Sequence, residues 1–336
     1  MREENEMKKA LISGLFSLML AAAFTVPAFA EELIVGGQAV GIQISTEGVL
    51  VAGVNEVETM EGTASPAEDA GIKPGDIIVS IGGEKVYDAA SIVAAVEKAG
   101  DGVISISLLR NGKNMDIELQ PAESDEGKKM LGLWLRDGMS GIGTMTFFEP
   151  DSGIYGALGH SVNDTDSKQE LPIREGSITH AHIVSVKPGA AGAPGELNGA
   201  ADLSRVMGSL DKNSQVGVFG RLYSNLEGQL METGVITAGP ASIISTVSGN
   251  ERREYSVEIN RVYRESGGTH AMLTVTDGEL LSKTGGIVQG MSGSPVIQNG
   301  KLVGAVTHVF INEPSKGYAV SIQDMLSAAG ISDKAA

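Results

Sequence analysis

Gly290-Met291-Ser292-Gly293-Ser294-Pro295 runs into Val296-Ile297, the pair Asn299-Gly300 and the apolar run Lys301–Thr307. This stretch predicts a tight glycine turn with space around a serine hydroxyl. A hairpin of core strands follows, closed by the dipeptide that favours a type I′ turn. Serine is a weak nucleophile until a base stands beside it. A Gly-x-Ser-Gly turn also aims the N–H groups of Gly290 and Ser292 at one point, as needed to hold a tetrahedral oxyanion. A second box upstream, Tyr155-Gly156-Ala157-Leu158-Gly159-His160-Ser161, offers His160 as the base.

Around these boxes the chain reads as β. From Met130 onward short apolar stretches recur between glycine turns: Gly141–Phe148, His182–Val186, Gln215–Val218, Gly234–Ala238, Ala241–Val247, Ser256–Val262 and Ala271–Val275. Helical periodicity is scarce until Ile322 to Ala329. Many short strands at close intervals predict a pair of small barrels. The composition agrees, with 45 Gly and only 4% aromatic residues in 336. Gly189 to Gly199 lacks Gly-Lys-Ser/Thr and reads as an irregular surface loop, not a phosphate loop.

Leu33 to Glu123 reads as a separate α+β module. Ile42 and Ile44 alternate with polar residues, Glu47-Gly48 turns, and Val49-Leu50-Val51 follows. Ser65-Pro66 opens a short helix that Gly71 ends. Lys73-Pro74-Gly75-Asp76 turns into the strand Ile77–Ile81. Asp88 to Lys98 is an amphipathic helix with Ile92, Val93 and Val96 inward. Val103–Leu109, Asn111-Gly112 and Met115–Leu119 form a hairpin. The acidic, polar Ala122 to Lys129 reads as a linker.

The net charge of −17, from 25 Lys+Arg against 42 Asp+Glu, argues against a nucleic-acid or anionic-membrane binder, which needs clustered cations. With no cysteine there is no disulfide, thiolate metal site or cysteine nucleophile. Lys8-Lys9, the apolar run Ala10 to Val26 and Ala28-Phe29-Ala30 read as an export signal, residues 1–30. Cleavage and retention as an anchor are both open; either way the protein is expected to act outside the cytoplasm.

The run Ala70-Gly71-Ile72-Lys73-Pro74-Gly75-Asp76-Ile77-Ile78 resembles bacterial PDZ domains, which assigns residues 33–123 to such a module. Val40-Gly41-Ile42 then looks like the loop whose N–H groups hold a peptide's terminal carboxylate, the peptide adding as a strand beside Ile42–Ile44. The other reading is a groove filled by the protein's own chain. Residues 130–336 resemble trypsin-like serine proteases in the order of boxes from Gly290 to Val320. Together, Gly285 to Pro295, Gly159-His160-Ser161-Val162 and the preceding PDZ module resemble the stage IV sporulation protein B peptidase family. The fold class expected is mainly β: a PDZ module followed by a trypsin-like double barrel.

The resemblance implies a serine endopeptidase with Ser292 as nucleophile and His160 as general base. It maps the family's aspartate onto Asp277, fifteen positions before the serine. Asp202, Asp211, Asp164 and Asp166 stay open as the orienting acid. The implied substrates are the protein itself and a membrane-bound regulatory complex, cut between forespore and mother cell so that the late mother-cell sigma factor is activated. Peptide termini are expected at the PDZ groove, with no nucleic-acid partner, and with membrane contact only through an uncleaved N-terminal segment. No cofactor or metal is expected. A PDZ scaffold with a decayed protease fold and an envelope quality-control protease are the alternatives. Met291 stands where trypsin-like zymogens carry an acid before the serine, so activation through that ion pair is excluded. His180 and His182 read as surface or barrel residues, since a two-histidine metal site lacks a third ligand. His308 ends a core strand near the serine, without a defined role.

Overall fold

The computed structural model describes residues 31–164, 170–265 and 267–331. The export-signal reading of residues 1–30 and the candidate Asp166 therefore lie outside the described residues. The structure is mainly β, with two barrel-like bodies and a PDZ module. Among the described residues no helix is long and apolar enough to cross a membrane.

Two strands of 16 residues, Ala39–Val54 and Leu133–Phe148, organise the N-terminal half. They pair antiparallel from Thr144↔Ala39 to Leu133↔Val54, with irregularities after Trp134 and Arg136. At one end the ribbon lies in the first barrel-like body, and at the other in the PDZ module. In the barrel half, Ala39–Val54 also pairs with Ile173–Lys187 through Ile42↔Ile178, and that strand pairs with Glu196–Ser209. On the far side follow Ile154–Ala157, Gly217–Arg221 and Lys212–Ser214. A bridge between Gly208 and Leu222 joins Glu196–Ser209 to the end of Gly217–Arg221. That crossing needs glycine: a Cβ on Gly208 would lie 2.2 Å from the Arg221 carbonyl oxygen. Val40, Ile42, Ile44, Met145, Phe148, Tyr155 and Ile178 fill this body.

The PDZ module is thus an insertion, which corrects the boundary read from sequence. Residues 33–46 belong to the first barrel; the PDZ core begins at Val49 and takes in Ile78, Ile81, Ile92, Val96, Ile106 and Leu108. The local forecasts hold. Asp88 caps the helix Ala89–Ala99, accepting from the Ser91 N–H, although Val93 faces water at 53% exposure. Asn111 and Gly112, like Asn299 and Gly300, both have positive φ, as a type I′ turn requires. Asp76 is buried and pairs with Arg110 at 2.6 Å, while accepting from the Lys73 N–H. The stretch read as a linker folds instead as a small hairpin, Ala122–Glu123 against Lys129–Met130, and Leu131 enters the PDZ core.

The C-terminal body is a closed barrel. Its strands follow the order Gly239–Thr246, Arg252–Glu265, Gly268–Val275, Lys316–Ser321, Lys301–Val309, Pro295–Gln298, and the last returns to the first through Ile243↔Val296. Gly234 to Ala238, apolar enough to read as a strand, lies outside the barrel strands. The helix Ile322–Ala329 puts Ile322, Met325 and Leu326 into a cluster shared with Leu33 and Phe147 of the first body. The two barrels are therefore sealed together by apolar burial, at roughly 25 cal/mol per Å2.

Candidate functional site

The serine turn sits at the seam of the two barrels. Gly290 and Gly293 take φ of 96° and 94°, conformations open to glycine. Gly293 is enforced twice, since a Cβ there would meet the Thr144 carbonyl oxygen at 2.0 Å. Two threonines of the opposite barrel pin the turn. Thr144 gives its N–H to the Ser292 carbonyl and its hydroxyl to the Gly290 carbonyl, both at 2.9 Å; the Thr146 hydroxyl donates to the Gly293 carbonyl at 2.8 Å. Neither threonine is marked by the sequence, because the pattern along a strand does not say which loop it will meet. Met291 is fully buried in the core of the closed barrel.

These bonds leave two donors over. Met291, Gly293 and Ser294 give their N–H groups to Val288, Val306 and Met291 carbonyls, whereas those of Gly290 and Ser292 donate to no described residue. A pair of unengaged amides flanking a serine in a glycine turn is a ready anion cradle.

His160 reaches the same cavity by a strained approach. Leu158 and Gly159 are both left-handed, at φ 68° and 69°, and Gly159 passes over Val306. The cavity, about 500 Å3, is lined by His160, Gly290, Ser292, Thr307 and His308 together with Ile142, Leu158, Ile287, Val288 and Val309. His160 Nδ1 lies 2.8 Å from the Ser161 carbonyl oxygen, and its ring centroid is 4.4 Å from that of His308. Burial pushes the His160 imidazole below its usual range, partly offset by the Ser161 carbonyl. The Ser292 hydroxyl donates to the Thr307 carbonyl at 2.6 Å.

The structure thus brings together His160, Gly290 and Ser292, but does not add Asp277. That carboxylate caps the helix Gly278–Thr284, accepting from the Leu280 N–H at 2.9 Å, and has no hydrogen bond to His160. A capping role commits it to backbone donors on another face. The other described candidates are also elsewhere. Asp164 is buried against Arg136 at 2.9 Å, Asp202 binds the Ser204 hydroxyl and N–H, and Asp211 has no hydrogen bond to His160.

The assignment of Val40-Gly41-Ile42 to a carboxylate-binding loop is overturned. These residues lie inside the barrel with both strand edges paired, Ile42 to Gly141 on one side and to Ile178 on the other, leaving no edge for a peptide. The PDZ edge lies further along the same strand, at Val49–Val54, and it too is occupied. Val49 and Leu50 pair with Ile78 and Ile77, while Leu133 to Arg136 cover the opposite edge. Leu133 and Leu135 pack on the PDZ core, and the Asp137 carboxylate accepts from the Ala89 N–H at the start of the helix Ala89–Ala99. The chain fills its own groove.

Comparison with known proteins follows the same division. A PDZ domain model matches residues 61–110. The regulator of sigma-W protease RasP of Bacillus subtilis is 37% identical over 87 residues, 25% of this chain and 21% of that protein. A probable periplasmic serine protease do/HhoA-like of Haemophilus influenzae is 38% identical over 65 residues, 19% of this chain and 14% of that one. The chain thus spans only a small part of these relatives. The active form of the Rv3671c protease from M. tuberculosis superposes with a TM-score of 0.34 at 14% identity, covering 74% of this chain and 88% of that one. The SpoIVB peptidase S55 model matches residues 127–326, more than half of the chain, and the protein belongs to that family.

Proposed function

We propose that the protein is an exported serine endopeptidase in which Ser292 attacks the scissile carbonyl and His160 takes its proton. The observation that carries this reading is one cavity holding Ser292, His160 and the two unengaged amides of Gly290 and Ser292. A carbonyl oxygen only accepts, so the Ser161 contact places the His160 proton on Nδ1 and leaves Nε2 as the base. Attack begins with rotation of the Ser292 hydroxyl away from Thr307. Its proton passes to His160 Nε2 while the new oxyanion settles between the Gly290 and Ser292 amides. His160 returns the proton to the leaving amine, and water repeats the sequence on the acyl-enzyme. The residues themselves supply all of this chemistry.

In this reading the substrates are the protein itself and a membrane-bound regulatory complex, cut between forespore and mother cell to activate the late mother-cell sigma factor. Family membership and the joined PDZ module support that role. Peptide termini reach the PDZ groove only when Leu133 to Arg136 leave it. The engaged Ser292 hydroxyl and the lack, among the described residues, of a carboxylate bonded to His160 favour a second reading, a non-catalytic scaffold. A fluorophosphonate probe on the purified protein separates the two. Labelling mapped to Ser292, with self-cleavage lost in Ser292→Ala, supports the peptidase; an unlabelled, folded protein supports the scaffold.

A further inference from the structure

The loop that carries His160 is seated on the PDZ module. Asn163 bridges to Glu170, and Leu171 gives its N–H to the Val162 carbonyl at 3.2 Å. On the barrel side Asn213 accepts from the Val162 N–H and donates to the Val162 carbonyl, both at 2.8 Å. On the other side lies the outer face of the PDZ sheet. Alternation along its strands sends Ile78 and Leu108 into the PDZ core, and Ile77 and Leu109 outward, where they pack with Leu50, Val162 and Leu171. Met139 belongs to the same cluster and also lines the cavity of Ser292. One ion pair crosses this contact. The buried Asp164 carboxylate accepts from Arg136 Nη1 at 2.9 Å, and Arg136 stands opposite Leu50 on the strand that covers the PDZ groove.

We propose that Arg136 is a positioning residue for His160: its ion pair with Asp164 fixes the loop of the base against the PDZ module, which thereby sets the reach of His160 toward Ser292. This rests on the reading of Ser292 and His160 as nucleophile and base. It concerns the backbone of the loop and is independent of which carboxylate orients the ring. Apolar contact has no direction, so the cluster alone lets the loop slide across the sheet. A charge-assisted bond between a guanidinium and a buried carboxylate sets both direction and length. His160 follows the loop, because its Nδ1 is bonded to the Ser161 carbonyl.

The test is the rate at which a fluorophosphonate labels Ser292 in the full chain, in Arg136→Ala, in Arg136→Lys, and in the double variant Arg136→Met with Asp164→Leu. A one-ångström misplacement of a reacting group costs about 100-fold, so Arg136→Ala is expected to label about 10- to 100-fold more slowly. The loss should fall on the limiting rate, with the half-saturating probe concentration within about threefold. One nitrogen of Arg136 makes the bond, and an ammonium can replace it, so Arg136→Lys should stay within about threefold of wild type. Stranding the buried Asp164 threatens the fold of Arg136→Ala. The double variant removes both charges, an exchange that is often neutral for stability, and melting curves check it. It should still label at least about tenfold more slowly. Wild-type labelling by the double variant overturns the proposal, as does equal slowing in Arg136→Lys and Arg136→Ala, or a loss confined to the half-saturating concentration. Failure of the wild-type protein to label at Ser292 overturns the underlying peptidase reading instead.

Discussion

The Ser292 hydroxyl donates its proton to the main-chain carbonyl of Thr307 at 2.6 Å, a bond that must break before the proton can pass to a base. Ser292→Ala is expected to lower proteolysis by about 10³–10⁶-fold, because nucleophile and base act as a unit. Ser294 is the contrast. It is fully buried and bonded to the Ser245 hydroxyl at 3.0 Å. Ser294→Ala should keep activity but lose about 1–3 kcal/mol in denaturant melts, as Ser245 is left unpaired. Equal processing by Ser292→Ala and wild type would sink the assignment.

Asp277 is expected to matter for stability more than for rate. Asn caps helices as well as Asp, so Asp277→Asn should leave kcat within about tenfold, while Asp277→Ala costs about 1 kcal/mol. Steady-state kinetics and thermal melts of the two variants check this. A fall of about 10⁴ in kcat for Asp277→Asn would mean that the carboxylate reaches His160 in the working enzyme.

Burial lowers the proton affinity of His160, so the acidic limb of kcat/KM is expected below about 6.5, the usual imidazole value. The same shift links to stability. In the window between the lowered folded value and about 6.5, the unfolded chain binds a proton that the folded one refuses. The stabilisation is complete above that window and is lost as pH falls through it. Urea titrations at pH 7.5 and pH 5 should differ more for wild type than for His160→Gln.

Gly41→Glu should damage the barrel rather than block a peptide site. A Cβ on Gly41 would lie 2.4 Å from Thr179 Oγ1 and 2.5 Å from Ala201 Cβ. Overpacking of this kind costs about 1–3 kcal/mol before the buried charge is counted. Near-ultraviolet circular dichroism and Ser292 labelling are expected to fall together; intact labelling in a folded Gly41→Glu protein would contradict the placement.

The self-filled groove gives a gain-of-binding forecast. Leu135→Asp weakens the packing of the covering strand on the PDZ core. A fluorescent peptide with a free, apolar C-terminus should bind this variant more tightly than the wild type, read by anisotropy. Equal, tight binding to both would mean that Leu133 to Arg136 do not close the groove.

Local chemistry made much of this legible in advance. Asn111-Gly112 and Asn299-Gly300 demand one kind of turn, and Asp88 with Ser91 starts a helix whatever surrounds it. Gly290 and Gly293 likewise announce the serine turn. Val40-Gly41-Ile42 misled because alternation identifies a strand but not its sheet, and its partners Gly141 to Gly143 lie about a hundred residues away. For Asp277, order along the chain carries no information about which way a carboxylate points, and in this structure it caps its own helix. His308 was visible as a residue, but its ring contact with His160 depends on a loop of one barrel meeting a strand of the other.

The insertion at residues 47–137 also dictates the order in which the molecule can be assembled. The first strands of the barrel come early in the chain, yet their partners at Gly138 to Phe148 follow only after the whole intervening module. Closing a slack loop of that length costs about 4 kcal/mol of chain entropy. A PDZ module that folds first removes most of that cost, because its two ends leave it already side by side as a ribbon. It therefore works as a built-in clamp during folding. Excising it would leave the N-terminal strands searching for their mates across open chain.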